Sequence, residues 1–403
     1  MTADEGPITI TEAVRRVLAA TPRLGFETVP VADALDRVLA ERLTAAGDVP
    51  PFACSAMDGY AIVSGPAGRM LELAGESSAG SPSADPVPGP SYAIRISTGA
   101  AVPDGADAVV RQEDTELAPD GKVVTTAESP PGDNIRRVGE DLSAGATVLE
   151  AGTRLTAAGL GAAVSAGVAT LPVAVRPRVA ILSTGNELRA PGEPLGPGQI
   201  YSSNGVALTA LAVRAGAVVT TTANVRDERT ATEQAFGDAI AAGDVVVASG
   251  GVSVGPHDHV KPALAELGVE QRFWGVRLQP GKPTWFGIKG DKLVFGLPGN
   301  PVSAIITFAL FVAPALAALQ GAGMDGRAGI ATLADDLARR KGRDQVIRVR
   351  LEQRDGRVYA RSTGSQASHL ITSLLAADAL ALIPAGDGSL PAGATVELLN
   401  LPR

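Results

Sequence analysis

The sequence predicts a multidomain α/β protein, in which a parallel α/β domain is joined to a helical N-terminal part, an inserted β domain and a C-terminal β domain. Three observations lead to this class. The chain has 403 residues, too many for one ordinary hydrophobic core. From Arg178 onward, wholly apolar strand-like runs alternate with helical ones, the pattern of a parallel sheet covered on both faces. Residues 49–141 and 327–403 show instead short β-branched runs broken by Pro, Gly, Ser and Asp, the texture of compact β domains.

Taken in order, the N-terminal part predicts two amphipathic helices, TEAVRRVLAA (11–20) and VADALDRVLAERL (31–43), with a Thr-Pro-Arg break between them. After Val49-Pro50-Pro51 come YAIRIST, ADAVVR and KVVTTA, each flanked by turn residues. Helix character returns over 153–170, so the β part reads as an insertion. The expected domains are therefore 1–48 with 142–175 (helical N-terminal and linking), 49–141 (inserted β), 176–326 (α/β) and 327–403 (C-terminal β). Within the α/β part the strand-like runs are RVAILSTGNE, AVVTTTANV, DVVVASGGVS and LVFGLPGNP, with helices near 204–215 and 229–242. From Pro301 to Met324 no residue is charged, a length that could span a bilayer. Pro314, the Ala content and the absence of a flanking Lys/Arg cluster read instead as a buried helix.

Composition restricts function. With 35 Lys plus Arg against 43 Asp plus Glu, the net charge of −8 argues against a broad nucleic-acid footprint or an anionic membrane surface as the main partner. Cys54 is the only cysteine, which excludes an intrachain disulfide and a thiolate metal cage within one chain. The acidic start MTADEGPITITEAVRR has no secretory pattern, and a cytoplasmic location is expected.

In an open α/β sheet, ligands sit beyond the carboxyl ends of the strands. Three strand ends here carry small polar loops: STGNE, SGGVSVGPHD and GLPGNP. Glycine admits a ligand close to the backbone, and N–H groups at a turn or helix start bind phosphate oxygens. Together the loops define a candidate anion pocket, although each also occurs as a plain βα turn. His257 and His259 diverge in an extended segment and have no Cys or third His nearby, so zinc does not fit. Asp258 between them is a hard oxygen donor suited to Mg²⁺ shared with phosphate, or equally a turn residue capping the next helix. Asp58 in CSAMDGYA, Thr98 in STGAAVPDGADAVV, Arg136 with Asp141 in NIRRVGEDL, and Lys282 in LQPGKPTW are further polar residues in turn-rich frames. Asp-Gly turns and solvated surface pairs explain the first three equally well.

In order along the chain, SAMDGYA, TGAAVPDGADAVV, NIRRVGED, ILSTGNEL, SGGVSVG with a following Asp, PGKP, GLPGNPVSA and GSQASHL resemble the molybdopterin molybdenumtransferase family, the type that also forms the E domain of gephyrin. The resemblance implies insertion of molybdate into adenylylated molybdopterin, with Mg²⁺-assisted hydrolysis and release of AMP. It also implies a homodimer whose active site joins the α/β domain of one subunit to N-terminal segments of the other. On the matched positions, Glu187, Asp227 and Asp258 would surround Mg²⁺ and phosphate, with Asp58 and Asp141 acting from the partner beside Thr98 and Arg136. Thr184, Gly185, Gly250, Gly251, Ser253 and the turn Pro298-Gly299-Asn300-Pro301 would hold the pterin phosphate and nucleotide. Lys282, Arg348 and Ser368 would receive molybdate, with Arg343 as the alternative to Arg348. The chain departs from the pattern at Gln279, where many relatives carry a second lysine, and at PHDH, where many read EADY. Two other readings remain: the sibling step of molybdopterin adenylylation, and a non-catalytic scaffold or molybdate-binding protein of the same fold.

Overall fold

The computed structural model describes residues 6–252, 259–323 and 327–401. Its centre is a six-stranded sheet in the order 218–225, 178–184, 245–249, 292–297, 285–289, 270–274. The first four strands are parallel. Trp285–Lys289 runs against them, because Gly290-Asp291 closes a tight hairpin between it and Lys292–Leu297, and the edge strand Glu270–Trp274 pairs antiparallel with Trp285–Lys289 in turn. The expectation of a parallel sheet therefore holds for the part that faces the glycine-rich loops, with an antiparallel edge added.

Alternation along these strands divides the core into two layers. Val179, Ile181, Val245, Val247, Leu293 and Phe295 face one side, against the helices Ile10–Ala20, Ser203–Arg214 and 301–319. Ala180, Leu182, Val246, Ala248 and Val294 face the other, against Arg229–Ala242 and Val260–Glu266. Burial on both faces is why these strands read as unbroken apolar runs. The helix Ile10–Ala20 begins at Thr9, whose hydroxyl accepts from the Glu12 amide, and its buried Ala13 and Val17 place it by packing in the core of the central domain.

The uncharged stretch forms one helical rod over 301–319, with a π segment at Phe308–Val312. Pro314 explains the π segment, since it offers no amide and its ring crowds the carbonyl of Leu310. The rod is long and apolar enough to cross a membrane by composition, and two-thirds of it lies inside this core.

The second expected N-terminal helix does not form. Over 31–43 only a 3₁₀ turn at Val31–Asp33 is present, and Asp36 takes φ +61°. Leu39 donates to Thr153 O, Ala40 donates to Pro172 O, and Leu43–Thr44 pairs with Thr147–Leu149. The apolar positions Val31, Ala34 and Leu39 are buried as the periodicity requires, but against Leu155, Leu171 and Val173 of a returning segment. Pairing with that segment satisfies the backbone without a helix, and tertiary context overrides local propensity. The returning segment does contain the helix Ala157–Ser165.

The inserted part folds on a six-stranded sheet in the order 108–111, 59–62, 92–96, 70–77, 123–125, 115–117. In the C-terminal part, strands 344–354, 357–362, 327–333, 395–400 and 379–383 close on themselves through a further 344–354 to 379–383 pairing, and Leu278–Gln279 of the central domain adds to strand 344–354.

Candidate active site

The chain leaves strand 178–184 through helix 203–214 on one face and reaches 218–225, then returns through helix 229–242 on the other face to 245–249. The two connections diverge between strands 178–184 and 245–249. This is the topological switch point, where an open α/β sheet leaves a crevice. In register, Ser183 lies beside Ser249 and Ser249 beside Leu297, so the loops that follow emerge together.

The crevice floor is backbone. Gly250 has φ +91°, and a Cβ there would sit 2.7 Å from Thr184 O and 2.8 Å from Thr184 Oγ1. Gly251 has φ +66°, and its Cβ would lie 2.5 Å from Val260 Cγ2. Both positions exclude a side chain twice over, by conformation and by space. The Gly250 amide donates to Leu297 O at 3.0 Å, so it fastens the loop to the next strand and is not free for an anion. Gly299 lies over the same spot, a Cβ there meeting Gly250 Cα at 3.6 Å. Thr184 is buried, and its hydroxyl reaches Ser249 O at 3.5 Å.

Asn204 was not singled out by the sequence and ties these loops together. From the first turn of helix Ser203–Arg214, its Nδ2 donates to Ser249 Oγ at 2.8 Å and to Gly299 O at 2.7 Å, while Ser249 Oγ donates to Pro298 O at 3.2 Å. The available signal was its place in SSNG, opening a helix directly after a loop. The turn Pro298-Gly299-Asn300-Pro301 starts the apolar rod. Ser368 caps it from the C-terminal domain, accepting from Asn300 Nδ2 at 2.9 Å on its hydroxyl and from the Val302 amide at 3.1 Å on its carbonyl.

On the rim, the Glu187 carboxylate folds back over Gly185, where a Cβ would meet its carboxyl carbon at 2.6 Å. Asp227 is half-buried and joined reciprocally to Asn186, its Oδ2 accepting from the Asn186 amide and its own amide donating to Asn186 Oδ1, both at 3.2 Å. Glu187 and Asp227 therefore come from adjacent loops. Asp258 and Ser253 lie outside the described residues, and among the described residues no group of three or more His, Cys, Asp or Glu is placed to hold a metal ion.

The N-terminal candidates form a separate cluster at one end of the inserted sheet. Asp58 precedes strand 59–62 and Thr98 follows strand 92–96, and these strands pair directly. The Thr98 amide and hydroxyl donate to Asp58 Oδ1 at 2.6 and 3.0 Å. The amide bond, then the hydroxyl bond, hold the exposed Asp58 carboxyl below the usual aspartate range. Arg136 joins through the pairing of Ile135–Arg136 with Cys54–Ser55. Asp141 is exposed in the following turn, its amide donating to Val49 O at 2.9 Å. None of their hydrogen bonds or ion pairs among the described residues reaches Glu187 or Asp227.

The three residues expected to share an oxyanion divide into two places. Arg348 is fully buried, its Nη2 donating to Ser365 O at 3.0 Å and Ala367 O at 3.3 Å, in the loop that carries Ser368. Its Nε and Nη1 have no partner, and burial pushes the guanidinium pKa down. Two unpaired donors on a buried cation are costly unless an anion or water meets them. Lys282 is exposed and lines a cavity together with Arg343, whose walls do not include Arg348 or Ser368.

Fold and crevice together define a multidomain α/β protein of the class that binds ligands at a switch point, with accessory domains bearing polar clusters of their own. Comparison with known proteins makes this specific. Residues 8–167 match the model described as MoeA N-terminal region (domain I and II), 180–318 the probable molybdopterin binding domain, and 331–401 the MoeA C-terminal region (domain IV). The chain is 36% identical to the molybdopterin molybdenumtransferase of Haemophilus influenzae over 97% of this chain and 98% of that one. It is 39% identical to molybdopterin molybdenumtransferase 2 of Mycobacterium tuberculosis, over 93% and 95%. A solved molybdopterin biosynthesis MoeA protein from Pyrococcus horikoshii superposes with a TM-score of 0.83 at 29% identity, over 98% of this chain and all of that one. The chain belongs to the molybdopterin molybdenumtransferase family, enzymes of molybdenum cofactor biosynthesis.

Proposed function

We propose that the protein inserts molybdate into adenylylated molybdopterin, with hydrolysis of the adenylate and release of AMP. The observation that carries this reading is the crevice between strands 178–184 and 245–249: a side-chain-free floor at Gly250 and Gly251, with Glu187 and Asp227 on its rim. Such a floor lets a phosphate-bearing ligand lie against the backbone. Two hard carboxylates beside it suit Mg²⁺, which is held by one or two acids plus substrate phosphate oxygens rather than by an all-protein cage. Asp258, in the SGGVSVGPHD stretch, would join them. When bound, the ion would neutralise charge on the phosphate linkage.

The chain's own residues divide the remaining work. Thr184, Gly185, the Gly250-Gly251 turn and the 298–301 turn hold the ligand's phosphates, and Asn204 keeps the two turns in register. Arg348 offers two unsatisfied donors beside Ser368. Asp58, Thr98, Arg136 and Asp141 act from a second copy of the chain in a homodimer, which supplies the acid groups this crevice lacks. A cytoplasmic location belongs to the same proposal.

The test supplies adenylylated molybdopterin, Mg²⁺ and molybdate, and follows AMP and finished cofactor together. Matched, molybdate-dependent formation of both is expected. Formation of the adenylate from molybdopterin and ATP instead would assign the chain to the preceding step.

A further inference from the structure

The edge strand Glu270–Trp274 lies outside the parallel part of the central sheet, yet its last residue reaches the crevice. Trp274 is half-buried, and its indole Nε1 donates to Val252 O at 3.1 Å. Val252 directly follows the Gly250-Gly251 turn that forms the crevice floor. The Lys261 ammonium, from the first turn of helix Val260–Glu266, stands 4.5 Å from the centre of the Trp274 ring. One indole therefore holds the end of the floor turn with its edge and meets the following helix with its face.

The two ends of the turn are fastened by different means. At its start the Gly250 amide donates to Leu297 O, so the neighbouring strand holds it through backbone alone. Val252 lies beyond the last ladder pair, Ser249 with Leu297. It is buried, and its side chain fills the space that a Cβ on Gly296 would take. Among the described residues its carbonyl takes its hydrogen bond from Trp274. A buried carbonyl left without a donor is costly, so this bond decides where the turn ends. Trp285 faces Trp274 across the edge hairpin, but its indole donates to Gln271 Oε1 at 2.8 Å, within the hairpin.

We propose that Trp274 is a positioning residue for the crevice: by donating to Val252 O, it keeps the Gly250-Gly251 turn in the shape that receives a phosphate-bearing ligand. The inference rests on the reading of that turn as the ligand floor. Without the bond the turn spreads over other conformations, and apparent affinity falls with the fraction of molecules that keep the receiving shape. The Lys261 ammonium steadies the ring for this bond, since a cation is attracted to an indole face. The antiparallel edge of the sheet thus serves the site that the parallel strands build.

Calorimetric titration of the full chain with adenylylated molybdopterin and Mg²⁺, without molybdate, tests this. Trp274→Phe keeps an aromatic ring beside Lys261 and removes the N–H. It is expected to raise the dissociation constant about fivefold, the loss of one hydrogen bond to a buried acceptor. In turnover, KM should rise while kcat holds. Lys261→Met, which keeps the stem and removes the charge, should weaken binding about twofold. Trp285→Phe is the control, and should lower the melting temperature at the wild-type dissociation constant. If Trp274→Phe only lowers the melting temperature and the fraction of protein that binds, at an unchanged dissociation constant, its role is structural and the proposal is overturned. Equal weakening in Trp285→Phe overturns it too, because general packing of the hairpin would then set affinity. If wild type binds the ligand but forms no AMP with molybdate, the proposed reaction falls, while the dissociation constants of the variants still decide the role of Trp274. If wild type does not bind the ligand, both fall.

Discussion

The crevice floor and the Asp58 cluster are both polar sites built at strand ends, but they are held in place differently. The floor rests on strands buried on both faces; Thr184, Ser249, Asn204 and Gly299 are hydrogen-bonded to one another, and Gly250 to Leu297. The Asp58 cluster is exposed and fixed by a few short-range bonds within the inserted sheet. The first geometry is a by-product of folding, so damage to it is damage to the core. The second can be altered without disturbing the fold, and it becomes chemically useful only when another surface is brought against it.

The contrast can be broken at three strengths. The largest effect is expected beneath the floor. Phe295 is fully buried, with its ring centroid 4.8 Å from that of Phe286, and Phe295→Ala should cost about 3–5 kcal/mol of stability in a denaturant titration. A loss under about 1 kcal/mol would mean that the site does not depend on this layer. Next, Gly250→Ala forces a side chain into the left-handed region and against Thr184 O, a conformational strain of about 1–3 kcal/mol before the clash is counted. Stability and ligand binding should fall together, and an unchanged melting temperature would refute the packed-floor account. The smallest effect on folding belongs to the exposed cluster. Asp58→Ala removes only exposed hydrogen bonds to Thr98, so it should lower the denaturation midpoint far less than Phe295→Ala while abolishing molybdate-dependent AMP release, the inverse of the Phe295 result.

The electrostatics of that cluster sharpen the same comparison. Because the folded pKa of Asp58 is depressed, its carboxylate stabilises the fold above the unfolded pKa, and that contribution is lost as pH falls through the folded value. Thr98→Ala removes the hydroxyl bond and keeps the amide bond. It should therefore move the Asp58 titration, followed by carboxyl NMR, part of the way up toward an ordinary aspartate; no movement would show that the amide alone sets it.

Much of the architecture was legible because burial writes itself into residue type. The runs VAILST and VVVAS could only be strands covered on both faces, and the uncharged 301–319 rod could be placed inside a core from its proline and its lack of flanking charge. The segment 31–43 misled because its apolar spacing is correct for burial, while the partner that buries it lies more than a hundred residues later. Asn204 went unnoticed for the same reason: its two acceptors lie 45 and 95 residues away. Arg348 and Lys282, grouped by resemblance, stand in different surroundings, one wholly buried and one exposed.

By itself, the sequence determined which strands are apolar throughout, where glycine must replace a side chain, and that the ordered motifs are those of a molybdenumtransferase. Only the tertiary structure decided that the Gly250 amide is spent on Leu297, that two donors of Arg348 are left unpaired, and that four cations surround one cavity. The physical reason is range. Hydrophobic periodicity and backbone strain are properties of neighbouring residues, whereas hydrogen-bond satisfaction and local charge density depend on which remote segments the fold brings within a few ångströms.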